Sequence, residues 1–335
     1  MRVDFDGVPV WVKQDQLFST GSYKDRGAAV LISHVKALGL RAVVEDSSGN
    51  AGCAIAAYCA RAGIACTIYV PHSTSPAKLA QIEAYGATLR RVPGTRQDTA
   101  DAVMAAAETT YYASHSWNPF FFHGTKTFAY EVCEQLGWRA PDALVLPAGN
   151  GTLLLGAAIG FGELQQAEIV DRMPRLIAVQ AENCAPLVRA FREKLSDAMQ
   201  VNAGSGPTLA EGIAIAKPIR GAQIVEAVRK SGGTFLAVSE DEIVQALRAM
   251  ASQGFYIEPT SAATIAGVAI ALDDVGLGQS NYKMILDVRP DIYKLDRYLV
   301  AGAFNDPYRQ IILDSLARMV RRLEARAVAE GVEDS

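Results

Sequence analysis

The sequence predicts an α/β protein of two domains, built on mostly parallel sheets covered by helices. Three observations carry that expectation. Short runs rich in Val, Ile and Leu alternate with longer segments of helical period, as parallel strands joined by helical crossovers require. The run ALVL at 143–146 is apolar without alternation, which fits a strand buried on both faces. The length, 335 residues, is about twice that of a common domain.

Strands are expected at 42–45, 66–70, 87–92, 143–147, 176–180, 234–238 and 283–288. Helices are expected between them, at 51–62, 77–85, 99–110, 125–136, 153–165 and 260–272. Ser239-Glu240-Asp241-Glu242 has the form of a capping box, so a further helix should start there and run to about Gly254. Residues 196–207, SDAMQVNAGSGP, are polar and rich in Gly and Ser, and read as a mobile loop. Residues 307–329 carry apolar positions at helical spacing and many arginines, and read as a surface or dimer-packing helix.

Composition narrows the function classes. The chain is 50% hydrophobic and 20% charged, ordinary globular values that exclude wholesale disorder. A net charge of −4 gives no general attraction for nucleic acid or anionic lipid. No apolar stretch approaches the roughly 20 residues of a membrane helix. The N-terminal MRVDFDGVPVWVKQDQ carries charges where a signal peptide needs an apolar core, so a cytoplasmic protein is expected. Cys53, Cys59, Cys66, Cys133 and Cys184 form no CxxC pair, and His34, His72, His115 and His123 form no ligand-like cluster. No metal is therefore expected, and the chemistry must rest on something other than His, Cys or metal.

Four segments carry candidate chemistry. In FSTGSYKDRG (18–27), Lys24 stands at a loop-to-helix junction. A helix dipole disfavours a cation there, which favours the free amine of a carbonyl-reactive lysine. In DSSGNAG (46–52), a strand gives way to a helix whose N–H groups can bind an anion, with Ser47, Ser48, Gly49, Asn50 and Ala51 around it. In VLPAGNGT (145–152), Gly149, Asn150 and Gly151 let backbone amides wrap a phosphate at a second helix start, with Thr152 as hydroxyl donor and Leu153 next. It is neither a Walker A loop nor GxGxxG, which counts against a nucleotide-binding oxidoreductase. EPTSAA (258–263) opens a third such junction and offers Ser261.

In that order the segments resemble those of fold-type II enzymes dependent on pyridoxal 5′-phosphate (PLP), the tryptophan synthase β-like group, and most of all threonine synthases. GSYKDRG is similar to that family's GSFKDRG, SSGNAG to STGNT, SWNP with GTKT to SxNPxRxxGQKT, PAGNGT to its phosphate loop, and EPTSAATIAG to EPxSAxxxAG. The likeness covers about residues 10–272. It implies the following roles. Lys24 carries PLP through a Schiff base and then moves protons. Asn50 bonds the cofactor's 3-hydroxyl, and Gly149, Asn150, Gly151, Thr152 and Leu153 hold its phosphate. Ser47, Ser48, Gly49, Asn50 and Ala51 receive the substrate carboxylate, with Phe121 and Ser261 also at the substrate. PLP would supply the electron sink and the protein position and electrostatics.

The pattern breaks in three places. The family's arginine position holds Phe121, which removes charge and fork geometry and disfavours phosphohomoserine as substrate. The family's last strand, TGxGLK-like, is here MILDVRP (284–290), where Asp287, Arg289 or neither meets the pyridine nitrogen. The stretch before Lys24 is short, so either the domain is trimmed or a partner subunit of a homodimer closes that face. The resemblance implies residues 1–27 and 124–335 as the larger PLP domain and 28–123 as a smaller mobile one. The expected reaction is elimination or replacement at Cβ or Cγ of an amino acid. Serine or threonine dehydratase chemistry is the alternative on the same fold, and a non-catalytic PLP-fold binding protein the alternative of another class.

Overall fold

The computed structural model describes residues 1–5, 8–201 and 206–273, with residues 292–295, 310 and 326–329 beyond them. The chain opens with an antiparallel pair, β1 (Arg2–Phe5) and β2 (Val8–Trp11). Then come α1 (Lys24–Ala37), β3 (Ala42–Glu45), α2 (Asn50–Ala62), β4 (Ala65–Pro71), α3 (Pro76–Ala84), β5 (Thr88–Val92), α4 (Arg96–Ala106), β6 (Tyr111–Tyr112), α5 (Pro119–Thr125) and α6 (Thr127–Gln135). β7 (Ala143–Pro147), α7 (Thr152–Gln166), β8 (Arg175–Ala181), α8 (Pro186–Arg192), α9 (Gly221–Lys230), β9 (Thr234–Val238), α10 (Glu240–Ser252) and α11 (Pro259–Asp273) follow, then β10 (Ile292–Leu295) and β11 (Arg326–Ala329).

Two parallel sheets organise these elements, in the orders β5-β4-β3-β6 and β7-β8-β9. Alternate residues of β3 and β4 face opposite layers. Val43, Cys66, Ile68 and Val70 pack with α1, α2 and α3, while Val44 and Tyr69 pack on Val103 of α4. The second sheet is covered twice as well. Leu146, Leu176, Ala178 and Phe235 lie under α7 and α9, and Val179, Ala181 and Val238 under α10 and α11. β8, buried from Leu176 to Ala181, is the central strand that its unbroken apolar run requires.

The capping box is present: Ser239 Oγ accepts from the Glu242 N–H, and the Glu242 carboxylate accepts from the Ser239 N–H at 2.6 Å. Three expectations need correction. The helix expected at 125–136 is α6, and it is preceded by a further short helix, α5, that was not expected and meets it at Lys126. α8 and α9, and the β1–β2 pair, were not anticipated. Within 307–329 the segment Arg326–Ala329 is a strand, paired in parallel with β10, where one continuous helix was expected. The strand expected at 283–288, Asp287 and Arg289, and residues 202–205 of the expected loop lie outside the described residues.

Candidate active site

Three helix starts converge on one cleft. Lys24 is the first residue of α1, Asn50 the first of α2 and Thr152 the first of α7. Lys24, Asn50, Gly149, Asn150, Gly151, Thr152, Leu153 and Ser261 all line a single cavity of about 1830 Å³. Ordinary ligand pockets run to ~1,000 Å³. Besides the three helix starts, the cavity runs along β7, from Ala143 to Pro147, and past the N-terminal segment from Val10 to Phe18.

The KDRG segment divides its labour. Asp25 is buried and accepts from the Thr20 N–H at 3.0 Å and from the Thr20 hydroxyl, which fixes the loop before Lys24. Arg26 forks onto Asp15, at 2.8 and 2.9 Å, and also reaches Glu131. Burial works against that charge, but Asp15 and Glu131 outweigh it and hold the guanidinium above its ordinary range. A Cβ on Gly27 would overlap the Phe121 ring, and one on Gly124 would overlap the Arg26 backbone. α1 and α5 therefore cross at two glycines. Lys24 alone of the four faces the cavity, its Nζ 3.8 Å from the centre of the Tyr23 ring.

The loop before α7 has a matching design. Gly151 caps the helix at φ +69°, a left-handed conformation, and no side chain caps the first turn. The first-turn N–H groups are therefore available to an anion. The loop is anchored from below by Gln180, fully buried, whose amide donates to Ala148 O at 2.9 Å and accepts from the Leu187 N–H at 2.8 Å. Tyr23, phenylalanine in the family motif, adds a hydroxyl 2.8 Å from Thr152 Oγ1, which ties the lysine segment to the anion loop. An anion cradle and an amine on two walls of one cavity fit a phosphorylated aldehyde such as PLP.

Other expected residues are placed differently. Ser47, Ser48, Gly49 and Ala51 belong to the loop and first turn beside Asn50 but are not on the cavity wall, and Ala51 is buried. Phe121 needs correction as a substrate-facing wall: it is fully buried among Ala28, Leu31 and Ile32, on the α1–α5 crossing rather than in the cleft. Its place is set by Gly27, which leaves the ring the only space there. Three residues escaped the reading of the sequence. Glu258 accepts from Asn50 Nδ2 at 3.0 and 3.2 Å across 208 positions. His115 and Glu45 form a pair at 2.6 Å with His115 on the cavity wall. Glu258 opens the EPTS motif and His115 precedes SWNP, so each stood within reach of a motif that was noticed.

Comparison with known proteins decides the family. The profile of pyridoxal-phosphate dependent enzymes matches residues 3–283. The chain belongs to that family. Curated relatives are threonine synthases: that of Methanocaldococcus jannaschii is 36% identical over 268 residues, 79% of this chain and 66% of its own length. That of Mycobacterium bovis is 37% identical over 272 residues, 80% of this chain and 72% of its own. The chain thus spans only about two thirds of the length of these relatives. Among solved structures, a PLP-dependent aspartate racemase matches with TM-score 0.64 at 26% identity, over 76% of this chain and 75% of that one. A threonine deaminase from T.th. matches with TM-score 0.65 at 25% identity, over 76% and 80%. A second profile, described as an EAL domain, matches residues 235–335, less than half of the chain. The protein is a PLP-dependent enzyme of the lyase kind, with the tryptophan synthase β-like fold. Among the described residues no helix is long and apolar enough to cross a membrane.

Proposed function

We propose that the enzyme eliminates or replaces a substituent at Cβ or Cγ of an amino acid, in the manner of a threonine synthase but on a substrate other than phosphohomoserine. The observation that carries this reading is the convergence of Lys24, Asn50 and the Gly149–Thr152 loop on one cavity. When bound there, PLP supplies the electron sink for carbanion chemistry at Cα. Lys24 Nζ holds the cofactor and takes and returns the proton at the substrate's Cα. Thr152 and the first-turn amides of α7 hold the phosphate, with the Tyr23 hydroxyl behind them. Asn50 orients the ring, its own amide held by Glu258. The Ser47–Ala51 loop, which reaches the cavity wall at Asn50, receives the substrate carboxylate, and Ser261 lines the same cavity.

The substrate part rests on Phe121. The segment that carries arginine in threonine synthases turns inward here, so no guanidinium from it reaches the cleft. A phosphate dianion placed there would lose hydration without a compensating fork. Serine or threonine ammonia-lyase chemistry is a second reading, supported by the likeness to a threonine deaminase. Two separate cores, one within residues 28–121 and one within 122–235, support a division into domains 28–123 and the remainder. A cytoplasmic homodimer belongs to the same reading.

The test is mass spectrometry of products from serine, threonine, homoserine, their O-acetyl esters and phosphohomoserine. The expected outcome is product from uncharged substrates and poor turnover of phosphohomoserine. Efficient threonine formation from phosphohomoserine would contradict the substrate assignment.

A further inference from the structure

The C-terminal ends of β3 and β6 lie side by side, since Val44 is in register with Tyr112. Ligands of parallel sheets gather at such ends. The chain leaves β3 through Glu45 and Asp46 into the Asn50 loop, and leaves β6 through Ala113 and Ser114 to His115. The two exits meet in one pair, with His115 Nδ1 2.6 Å from Glu45 Oε1.

Glu45 is fully buried, and its other oxygen, Oε2, has no hydrogen-bond partner. A hidden carboxylate with one oxygen unsatisfied is a poor stability device. Burial pushes the Glu45 carboxyl up, His115 pulls it down, and Asp46 adds to the rise. The remaining groups that face it, Tyr112 of β6 and Cys66 of β4, bring no positive charge. Arg96 of α4 is spent on Asp46 at 2.6 Å, and Tyr112 donates its hydroxyl to the same carboxylate. His115 is thus the group that balances Glu45 among the described residues. The Phe121 ring braces the imidazole edge-on, with centroids 6.1 Å apart. His115 also lines the cavity that holds Lys24 and Asn50. With Nδ1 occupied by Glu45, Nε2 is the nitrogen left for a ligand in the cleft.

We propose that His115, oriented and charge-balanced by Glu45, donates the proton to the oxygen that leaves the substrate, and that the substrate accordingly carries an unactivated hydroxyl at Cβ or Cγ. The proposal rests on the lyase reading above and narrows it. Lys24 is engaged at Cα, so a second donor has work only where the leaving group cannot depart as a stable anion. Acetate and phosphate can; hydroxide cannot. The carbon–oxygen bond breaks with its electron pair going to oxygen, the Nε2 proton passes to that oxygen, and water leaves. The ring regains a proton from solvent, and nothing is oxidised or reduced.

PLP-loaded His115→Asn and Glu45→Gln proteins test this against the unmodified enzyme, on serine, threonine and homoserine and on their O-acetyl esters. For His115→Asn, kcat on the hydroxyl substrates should fall about 100-fold, the scale of lost general-acid catalysis. Turnover of the esters should stay within a few fold, with the visible cofactor band intact. Glu45→Gln should lower kcat on the hydroxyl substrates as well, again with the esters within a few fold, because the imidazole loses the carboxylate that orients it. Equal losses on alcohols and esters, or no loss on either, would overturn the proposal. An unchanged ratio of alcohol to ester turnover in folded Glu45→Gln would do so even if His115→Asn failed to fold. If the unmodified protein turned over no amino acid at all, the lyase reading itself would fall, and this proposal with it.

Discussion

Gly151 concentrates the cofactor argument in one residue. Its φ of +69° places it where a Cβ is strained, and that Cβ would also overlap Ile224. Gly151→Ala should therefore cost about 1–2 kcal/mol of stability and open the anion loop. Gly151→Asp adds a carboxylate beside a bound phosphate dianion, against the helix dipole. Cofactor content after dialysis should fall in both, further for Asp; full occupancy would place the phosphate elsewhere. The role of Gly151 was legible in the sequence because a strand, a glycine turn and a helix start are local features. Phe121 was not, because the face a short helix turns inward depends on Gly27, almost a hundred positions away. The Glu45–His115 and Asn50–Glu258 pairs share that cause: each joins segments that only the fold brings together.

At the level of elements, the site is held by what surrounds α1. Arg26 ties the start of α1 to Asp15 and to Glu131 of α6, and its side chain is only 5% exposed. Removing Arg26 leaves Asp15 without its forked partner, while Glu131 keeps Lys13 at 2.9 Å. Arg26→Ala should cost about 3 kcal/mol, and Arg26→Lys should recover only part of it, because an ammonium lacks the fork. Chemical denaturation measures both, and a loss in Arg26→Ala indistinguishable from zero would contradict the assignment. The same cluster predicts acid sensitivity. Burial pushes the Glu131 carboxyl up, but Lys13 and Arg26 together pull it below its ordinary range. Its stabilising contribution is then complete above the usual carboxylate range and is lost as pH falls through the depressed value. The sequence marked Lys24 within KDRG but not the structural work of Asp25, Arg26 and Gly27, since their partners lie at Thr20, Asp15, Glu131 and Phe121.

Across the whole molecule, the strand–helix alternation foretold both parallel sheets, because the inner strands β4 and β8 are apolar runs buried on both faces, even though the edge strand β5, TLRRV, is largely exposed. The C-terminal part did not yield to the same reasoning. Residues 326–329, RAVA, satisfy a helical period as readily as a strand, and periodicity alone does not separate the two in so short a run. The departure at MILDVRP (284–290) lies beyond residue 283, where the match to the PLP family ends, and within the stretch that matches the EAL profile. Among the described residues of that match, by contrast, one cleft gathers the candidate cofactor residues, with Lys24 on its wall. Reduction of the purified, PLP-loaded protein with borohydride, followed by peptide mapping, tests the assignment of Lys24 most directly. The cofactor should be found on the peptide that contains Lys24, and Lys24→Ala should abolish both the label and turnover. Label on Lys126, whose amine is held by Glu163 at 2.8 Å outside the cleft, or on any other lysine, would contradict the account.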